Sequence, residues 1–129
     1  MSVSRRSFLS TAVAGIAGAA ATRPRGASAQ VLGANDRVNV ALIGAGRQGQ
    51  SDVRNHLALP DVRVVSVCDV FGTNLDKGAA IAPGAKKVKD FREVLDDKEV
   101  DAVIIGTPDH WHALMTVMAC QAGKDVYVE

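Results

Sequence analysis

The 129-residue sequence predicts an α/β fold, a doubly wound parallel sheet of about five strands with helices on both faces. Three observations predict it. Val38-Asn39-Val40-Ala41-Leu42-Ile43 is an almost unbroken apolar run, as a strand buried on both faces requires. Directly behind it, Gly44, Gly46 and Gly49 hold the G-x-G-x-x-G spacing of a dinucleotide-binding turn, which makes the sheet Rossmann-type. From there to Glu129, strand and helix signals alternate at the short spacing of repeated strand–helix–strand units. Residues 38–129 suffice for one such core and no more.

The chain divides before that body begins. Residues 1–29 read as an address label. Ser4-Arg5-Arg6-Ser7-Phe8-Leu9-Ser10 resembles the twin-arginine export signal, an Ala/Gly-rich apolar stretch runs from Phe8 to Ala21, and Ala27-Ser28-Ala29 fits a small-residue cleavage site. The apolar stretch is too short and too weakly hydrophobic for a stable membrane span. The expectation is export to the periplasm or the cell exterior, with a membrane tether only if the signal stays uncleaved. A protein exported folded would take its cofactor with it, tightly held. Residues 30–37 are a polar linker, and 38–129 form the nucleotide-binding domain. Charge follows the same division, since the formal net charge of +1 becomes −3 once Arg5, Arg6, Arg23 and Arg25 are set aside. A mildly acidic body with few aromatics has no electrostatic footprint for nucleic acid.

After the first strand, the pattern predicts a helix from Arg47 to about Leu59 with Val53, Leu57 and Ala58 on one face, ended by Pro60-Asp61. His56 on that helix reads as packing or surface rather than ligand. Val62–Val67 is the second strand and runs into Cys68-Asp69. Asn74–Ala82 is a short helix closed by Pro83-Gly84. Lys87-Val88-Lys89 is a third strand whose charged flanks place it near a sheet edge. Asp90 caps a helix from Phe91 to Leu95, with Glu93 as capping-box partner. Val100–Ile105 is the fourth strand, a helix containing Cys120 follows, and Val126–Val128 is the last strand. Cys68 and Cys120 fit neither a C-x-x-C pair nor a metal spacing, and read as two buried, unpaired thiols.

Two stretches hold the chemistry. In the glycine turn, Gly44 permits the tight bend, Gly46 lets the backbone approach a pyrophosphate, and Gly49 lets the helix pack closely on the strand. The helix N-terminus then faces the anion. Asp69 stands 20 residues beyond Gly49, where such a fold hydrogen-bonds the adenosine ribose; a helix-capping aspartate is the other reading. A carboxylate there repels a 2′-phosphate, and no Arg or Lys follows until Lys77. NAD is therefore expected over NADP, with NADP still open. The second stretch is Gly106-Thr107-Pro108-Asp109-His110-Trp111-His112, at the carboxyl end of the fourth strand and so at the topological switch point. His-Trp-His matches no usual metal spacing and lacks a third partner, so no metal is expected. A polar loop with Asp109 as helix cap is the plain alternative. The position favours a loop that closes over the nicotinamide end of a cofactor.

With these motifs in place, the stretch from Val38 to Glu129 resembles the glucose–fructose oxidoreductase / inositol dehydrogenase (Gfo/Idh/MocA) oxidoreductases. The marks are Ala41-Leu42-Ile43-Gly44-Ala45-Gly46-Arg47-Gln48-Gly49, Cys68-Asp69, Thr107-Pro108-Asp109-His110-Trp111-His112 and Gly123-Lys124-Asp125-Val126-Tyr127-Val128-Glu129. The resemblance implies an NAD(P)-dependent enzyme that moves a hydride to or from a sugar, polyol or related hydroxyl or carbonyl compound, and a homo-oligomer when full length. It implies that Gly44, Gly46 and Gly49, with the amides of Arg47 and Gln48, take the pyrophosphate and that Asp69 takes the ribose. Thr107, Pro108 and His112 would line the cofactor beneath the nicotinamide, and Glu129 would begin the family's Glu-Lys-Pro. The lysine of that motif, the distal aspartate and histidine for proton transfer, and the C-terminal substrate domain are not in this sequence. Lys124, in the turn before the last strand, is no substitute. The expectation is a cofactor-binding piece without a catalytic residue of its own, whose last strand leaves apolar surface uncovered and invites self-association. Two alternatives stay open. One is a non-catalytic dinucleotide-binding module, sensor or scaffold. The other is an S-adenosylmethionine methyltransferase, whose glycine turn is similar but which the Thr-Pro-Asp-His-Trp-His loop does not suit.

Overall fold

The computed structural model describes residues 37–129; the signal expected at 1–29 and nearly all of the 30–37 linker lie outside the described residues. Strands and helices alternate strictly: β1 (Val38–Ile43), α1 (Arg47–Leu57), β2 (Val62–Cys68), α2 (Gly72–Ile81), β3 (Lys86–Val88), α3 (Phe91–Asp96), β4 (Ala102–Ile105), α4 (Asp109–Gln121) and β5 (Asp125–Val128). They build one sheet of order β3-β2-β1-β4-β5, with every neighbouring pair parallel. β1 lies at the centre, and the direction of winding reverses between β1 and β4.

The apolar run of β1 is explained by its two covered faces. Val40 and Leu42 pack with Val64, Val67 and Ile104 under Val53 of α1 and Leu75 of α2. Ala41 and Ile43 pack on the other side with Val103 and Ile105 under Val94 and Leu95 of α3 and Met115 and Ala119 of α4. Side chains alternate across a strand, so a central parallel strand with helices on both faces must be apolar throughout.

Several boundaries differ from the sequence reading, each for a local reason. α1 ends at Leu57, so Leu57 and Ala58 are exposed, and the inward residues are Gly49, Asp52 and Val53. α2 begins at Gly72, two residues early, because the Asp69 carboxylate accepts the N–H of Phe71, its N-cap (2.8 Å). β3 begins at Lys86 and lies at a sheet edge, as its lysines suggest. Asp90 does cap α3, accepting the Arg92 N–H (3.0 Å), whereas Glu93 takes part through its backbone N–H to the Asp90 carbonyl (3.1 Å). β4 starts at Ala102. Val100 is buried just ahead of it, and Lys124 Nζ donates to the carbonyls of Asp97 and Val100, both at 2.7 Å. Cys68 is buried as expected, but Cys120 is exposed. The inward stripe of α4 runs through Met115 and Ala119, and the next residue along a helix is turned about 100° away from it.

Candidate dinucleotide site at the switch point

The turn after β1 is fixed by backbone packing. Gly44 has φ +90°, a conformation that glycine adopts without strain, and its N–H donates to the Cys68 carbonyl at 2.8 Å. A Cβ on Gly44 would lie 2.7 Å from the Thr107 nitrogen, one on Gly106 would lie 2.6 Å from the Gly49 Cα, and one on Gly49 would overlap the Gly44 carbonyl oxygen. Three glycines thus bring the turns after β1 and β4 into backbone contact. Within the loop expected over the nicotinamide, nothing in the sequence gives Gly106 a separate role. Its signal is only that it follows a strand adjoining β1.

Gly46 is different. It has φ −68°, open to any residue, and a Cβ there would meet nothing within 4 Å. The fold does not need a glycine at that position. What lies beside it is the N-terminus of α1, where no side chain caps the first turn, in contrast to the Asp90 cap of α3. An uncapped helix start beside a bare backbone is a cradle for an anion. The residues present fit a pyrophosphate.

Asp69 closes the turn from the side. Its Oδ2 accepts the buried Ala45 N–H and its Oδ1 accepts the Phe71 N–H, both at 2.8 Å. Asp69 thus ties the glycine turn to the chain entering α2, one oxygen on each. Each carboxylate oxygen has a second lone pair for a further donor. Beside it, the Cys68 thiol is pushed up from its ordinary value to about 12, chiefly by burial and then by the carboxylates of Asp69, Asp90 and Glu93. Cys68 is thus held as a neutral thiol, which is not a nucleophile. Asp90 is held below the usual carboxylate range, first by the Arg92 backbone N–H.

Across the switch point, His112 Nε2 lies 2.6 Å from the Thr107 carbonyl oxygen, so Nε2 carries the proton and pins the loop to α4. Pro108, not Asp109, is the N-cap of α4; Asp109 is the first helical residue. Between the two turns lies a cavity of about 790 Å³. Of the expected site residues, Gly44, Gly46, Arg47, Gln48, Asp69, Thr107 and Pro108 line it. Gly49 packs beneath the turn, His112 holds the loop from behind, and Glu129 accepts from Gln48 Nε2 at 2.7 Å, outside the lining. The same Gln48 amide donates to Asp52 Oδ1 (3.2 Å), while Asp52 Oδ2 is buried without a partner among the described residues. The lining also holds Trp111, from the loop expected over the nicotinamide, and Val70 and Phe71 after β2 and Lys89 and Arg92 after β3, which no sequence motif marks. The signal of those last four is position alone, at or just past the carboxyl ends of parallel strands.

The model of the oxidoreductase family with an NAD-binding Rossmann fold, Gfo/Idh/MocA, matches residues 38–129. The chain belongs to that family. Among curated relatives, a glycosyl hydrolase family 109 protein of Solibacter usitatus is 35% identical over 142 aligned positions, covering 98% of this chain and 32% of the relative. An alpha-N-acetylgalactosaminidase of Shewanella oneidensis is 32% identical over 101 positions, covering 71% of this chain and 22% of the relative. The chain thus spans about a third or less of the length of the curated relatives it matches. Among solved structures, an NAD-binding oxidoreductase from Klebsiella pneumoniae is 34% identical with a TM-score of 0.61, covering 71% of this chain and 27% of that one. A myo-inositol dehydrogenase from Corynebacterium glutamicum is 29% identical with a TM-score of 0.65, at the same coverages. Residues 38–129 are accordingly the NAD-binding Rossmann domain characteristic of the Gfo/Idh/MocA family.

Proposed function

We propose that this chain supplies the cofactor half of an NAD-dependent oxidoreductase that moves a hydride to or from a carbohydrate or cyclitol hydroxyl. The observation that carries the reading is the bare, uncapped start of α1 at Gly46, which opens on the same cavity as Asp69 and Thr107. Gly44 and Gly46 with the amides of Arg47 and Gln48 would hold the pyrophosphate, while Gly49 lets α1 approach closely enough to present them. Asp69 would accept from the adenosine ribose, and its charge favours NAD over NADP. Thr107 and Pro108 would place the nicotinamide at the β4 end, with His112 fixing their loop and Glu129 at the flank through Gln48. When bound, the dinucleotide supplies the hydride donor or acceptor; the chain binds it, orients it and screens it from water. Lys124 is held by two backbone carbonyls and His112 by a third, so neither is placed for proton transfer. The acid and base belong to the greater length over which the relatives extend.

The similarity to a myo-inositol dehydrogenase and an alpha-N-acetylgalactosaminidase supports a substrate with a hydroxylated ring. The Arg5-Arg6 segment supports export with the cofactor already loaded, into the periplasm or outside the cell, and homo-oligomerisation belongs to the full-length protein. Calorimetric titration of the chain with NADH, NADPH and S-adenosylmethionine tests the assignment. NADH is expected to bind most tightly; tight binding of S-adenosylmethionine only would sink it.

A further inference from the structure

We propose that Trp111 is a stacking platform for the C–H face of a pyranose or cyclitol ring at the β4 end of the cavity. The inference deepens the oxidoreductase reading and rests on it. Trp111 is the only tryptophan of the chain and one of the residues lining the cavity, with Thr107, Pro108 and Met115. On α4 it stands four residues before Met115 and eight before Ala119, both buried in the core. It therefore extends the helix's inward stripe, yet it is 41% exposed. The stripe simply continues past the end of the core into the cavity wall. A half-exposed indole in a cavity wall offers a bound molecule a broad, rigid apolar face.

The chemistry of the indole narrows that ligand. Its face is electron-rich, so it attracts the partly positive hydrogens on one side of a saturated ring. Its N–H is a donor only, and complements a ring hydroxyl at the edge. His110 flanks it, ring centroids 6.1 Å apart and tilted by 45°, adding a second polar group beside the same surface. The adenine end of the cavity has aromatic surface of its own in Phe71 and Phe91, after β2 and β3. Trp111 lies across the switch point from them, on the side of Thr107, where the reacting ring of a substrate would meet the nicotinamide.

The test is saturation-transfer NMR on the full 129-residue chain loaded with NADH, with D-glucose and myo-inositol as probes. Ring C–H protons are expected to receive saturation, and Trp111→Leu to reduce that signal at least about fivefold while NADH affinity, followed by the cofactor's own fluorescence, moves less than about twofold. Trp111→Phe keeps an aromatic face and is expected to retain part of the signal, which controls for a leucine variant that fails to fold. No transfer in the wild type, or transfer unchanged in Trp111→Leu, overturns the platform. A loss of NADH affinity matching the loss of sugar signal also overturns it, because the indole would then be serving the nicotinamide. Failure of the wild type to bind NADH at all is a separate result, and it refutes the oxidoreductase reading.

Discussion

Asp69 shows how one side chain can serve fold and site together. Removing it by Asp69→Ala leaves the Ala45 and Phe71 N–H groups without acceptors, at a cost of about 1–3 kcal/mol for a buried unsatisfied donor. Asp69→Asn keeps one oxygen and is expected to lose less stability, while raising NADPH affinity relative to NADH because the repelling charge is gone. Urea denaturation and the NADH to NADPH affinity ratio read the two effects; an Asp69→Ala variant as stable as the wild type would refute the structural part. The cysteines give a second prediction. Cys120 should react with a thiol reagent in the folded protein, and Cys68 only after unfolding. The pH dependence has a definite sign. Unfolded, Cys68 ionises near its ordinary 9.0; folded, it holds its proton to about 12. Between those values the folded state binds the extra proton, so stability is intact below 9.0 and falls as pH rises, with a limiting slope of about 1.4 kcal/mol per pH unit. Cys68→Ala should flatten the thermal-unfolding profile in that window, and an unchanged slope would exclude the thiol as its source. The place of Asp69 just past the carboxyl end of β2 was legible because its distance from Gly49 is set by the length of a helix and a strand. The exposure of Cys120 was not, because α4 has apolar residues on every side, Leu114 and Val117 outward as well as Met115 inward, so its rotational phase is unmarked in the sequence.

The glycine turn makes its argument as an element, through two glycines of opposite kind. Gly49→Ala forces a methyl onto the Gly44 carbonyl, a rigid backbone atom, in a place where Gly106 also presses from the other side. Such overpacking has nowhere to relax, and the variant is expected to lose several kcal/mol or fail to fold. Gly46→Ala meets only open space at an ordinary φ, so stability should stay within about 0.5 kcal/mol of the wild type. Its methyl nevertheless intrudes where a pyrophosphate would lie, and NADH affinity should drop at least about tenfold. Denaturation and titration of the same two proteins separate fold from function; unchanged NADH affinity in Gly46→Ala would remove the cradle from the site. The pattern G-x-G-x-x-G located all three positions but could not say which were structural. That distinction depends on what lies opposite, and Gly106 and Thr107 come from the turn after β4, far along the chain from Gly44 and Gly49. Boundaries failed for the same reason. The early start of α2 depends on an aspartate outside the helix, and the early end of α1 leaves Leu57 and Ala58 in solvent although their pattern reads as core.

At the scale of the whole domain, the inner place of β1 is legible in its continuous apolar character, which requires neighbours and helices on both sides, whereas the order of the outer strands comes from the structure. The two sheet edges are then treated unequally. At one edge β3 carries Lys86 and Lys87, paired with Asp97 at 3.6 Å and Asp76 at 2.7 Å. Charged residues on an edge strand discourage pairing with another sheet. At the other edge, among the described residues, β5 bonds only to β4 and exposes Tyr127 at 46% and Val128 at 37%. Tyr127 has partial cover, its ring set edge-on to His56 of α1 at 4.8 Å, whereas Val128 carries no comparable aromatic contact. The asymmetry locates the surface through which the chain should self-associate, as exposed apolar edges invite strand addition. Size-exclusion chromatography with light scattering over a range of concentrations should show a mass that rises with concentration. Val128→Lys places a charge on the open edge without disturbing the Tyr127–His56 pair, and should shift the distribution toward monomer. Lys87→Ala, which strips one charge from the guarded edge, should shift it the other way. If Val128→Lys associates as the wild type does, β5 is not the sticking edge, and the exposed Leu114 and Val117 face of α4 becomes the surface to mutate next.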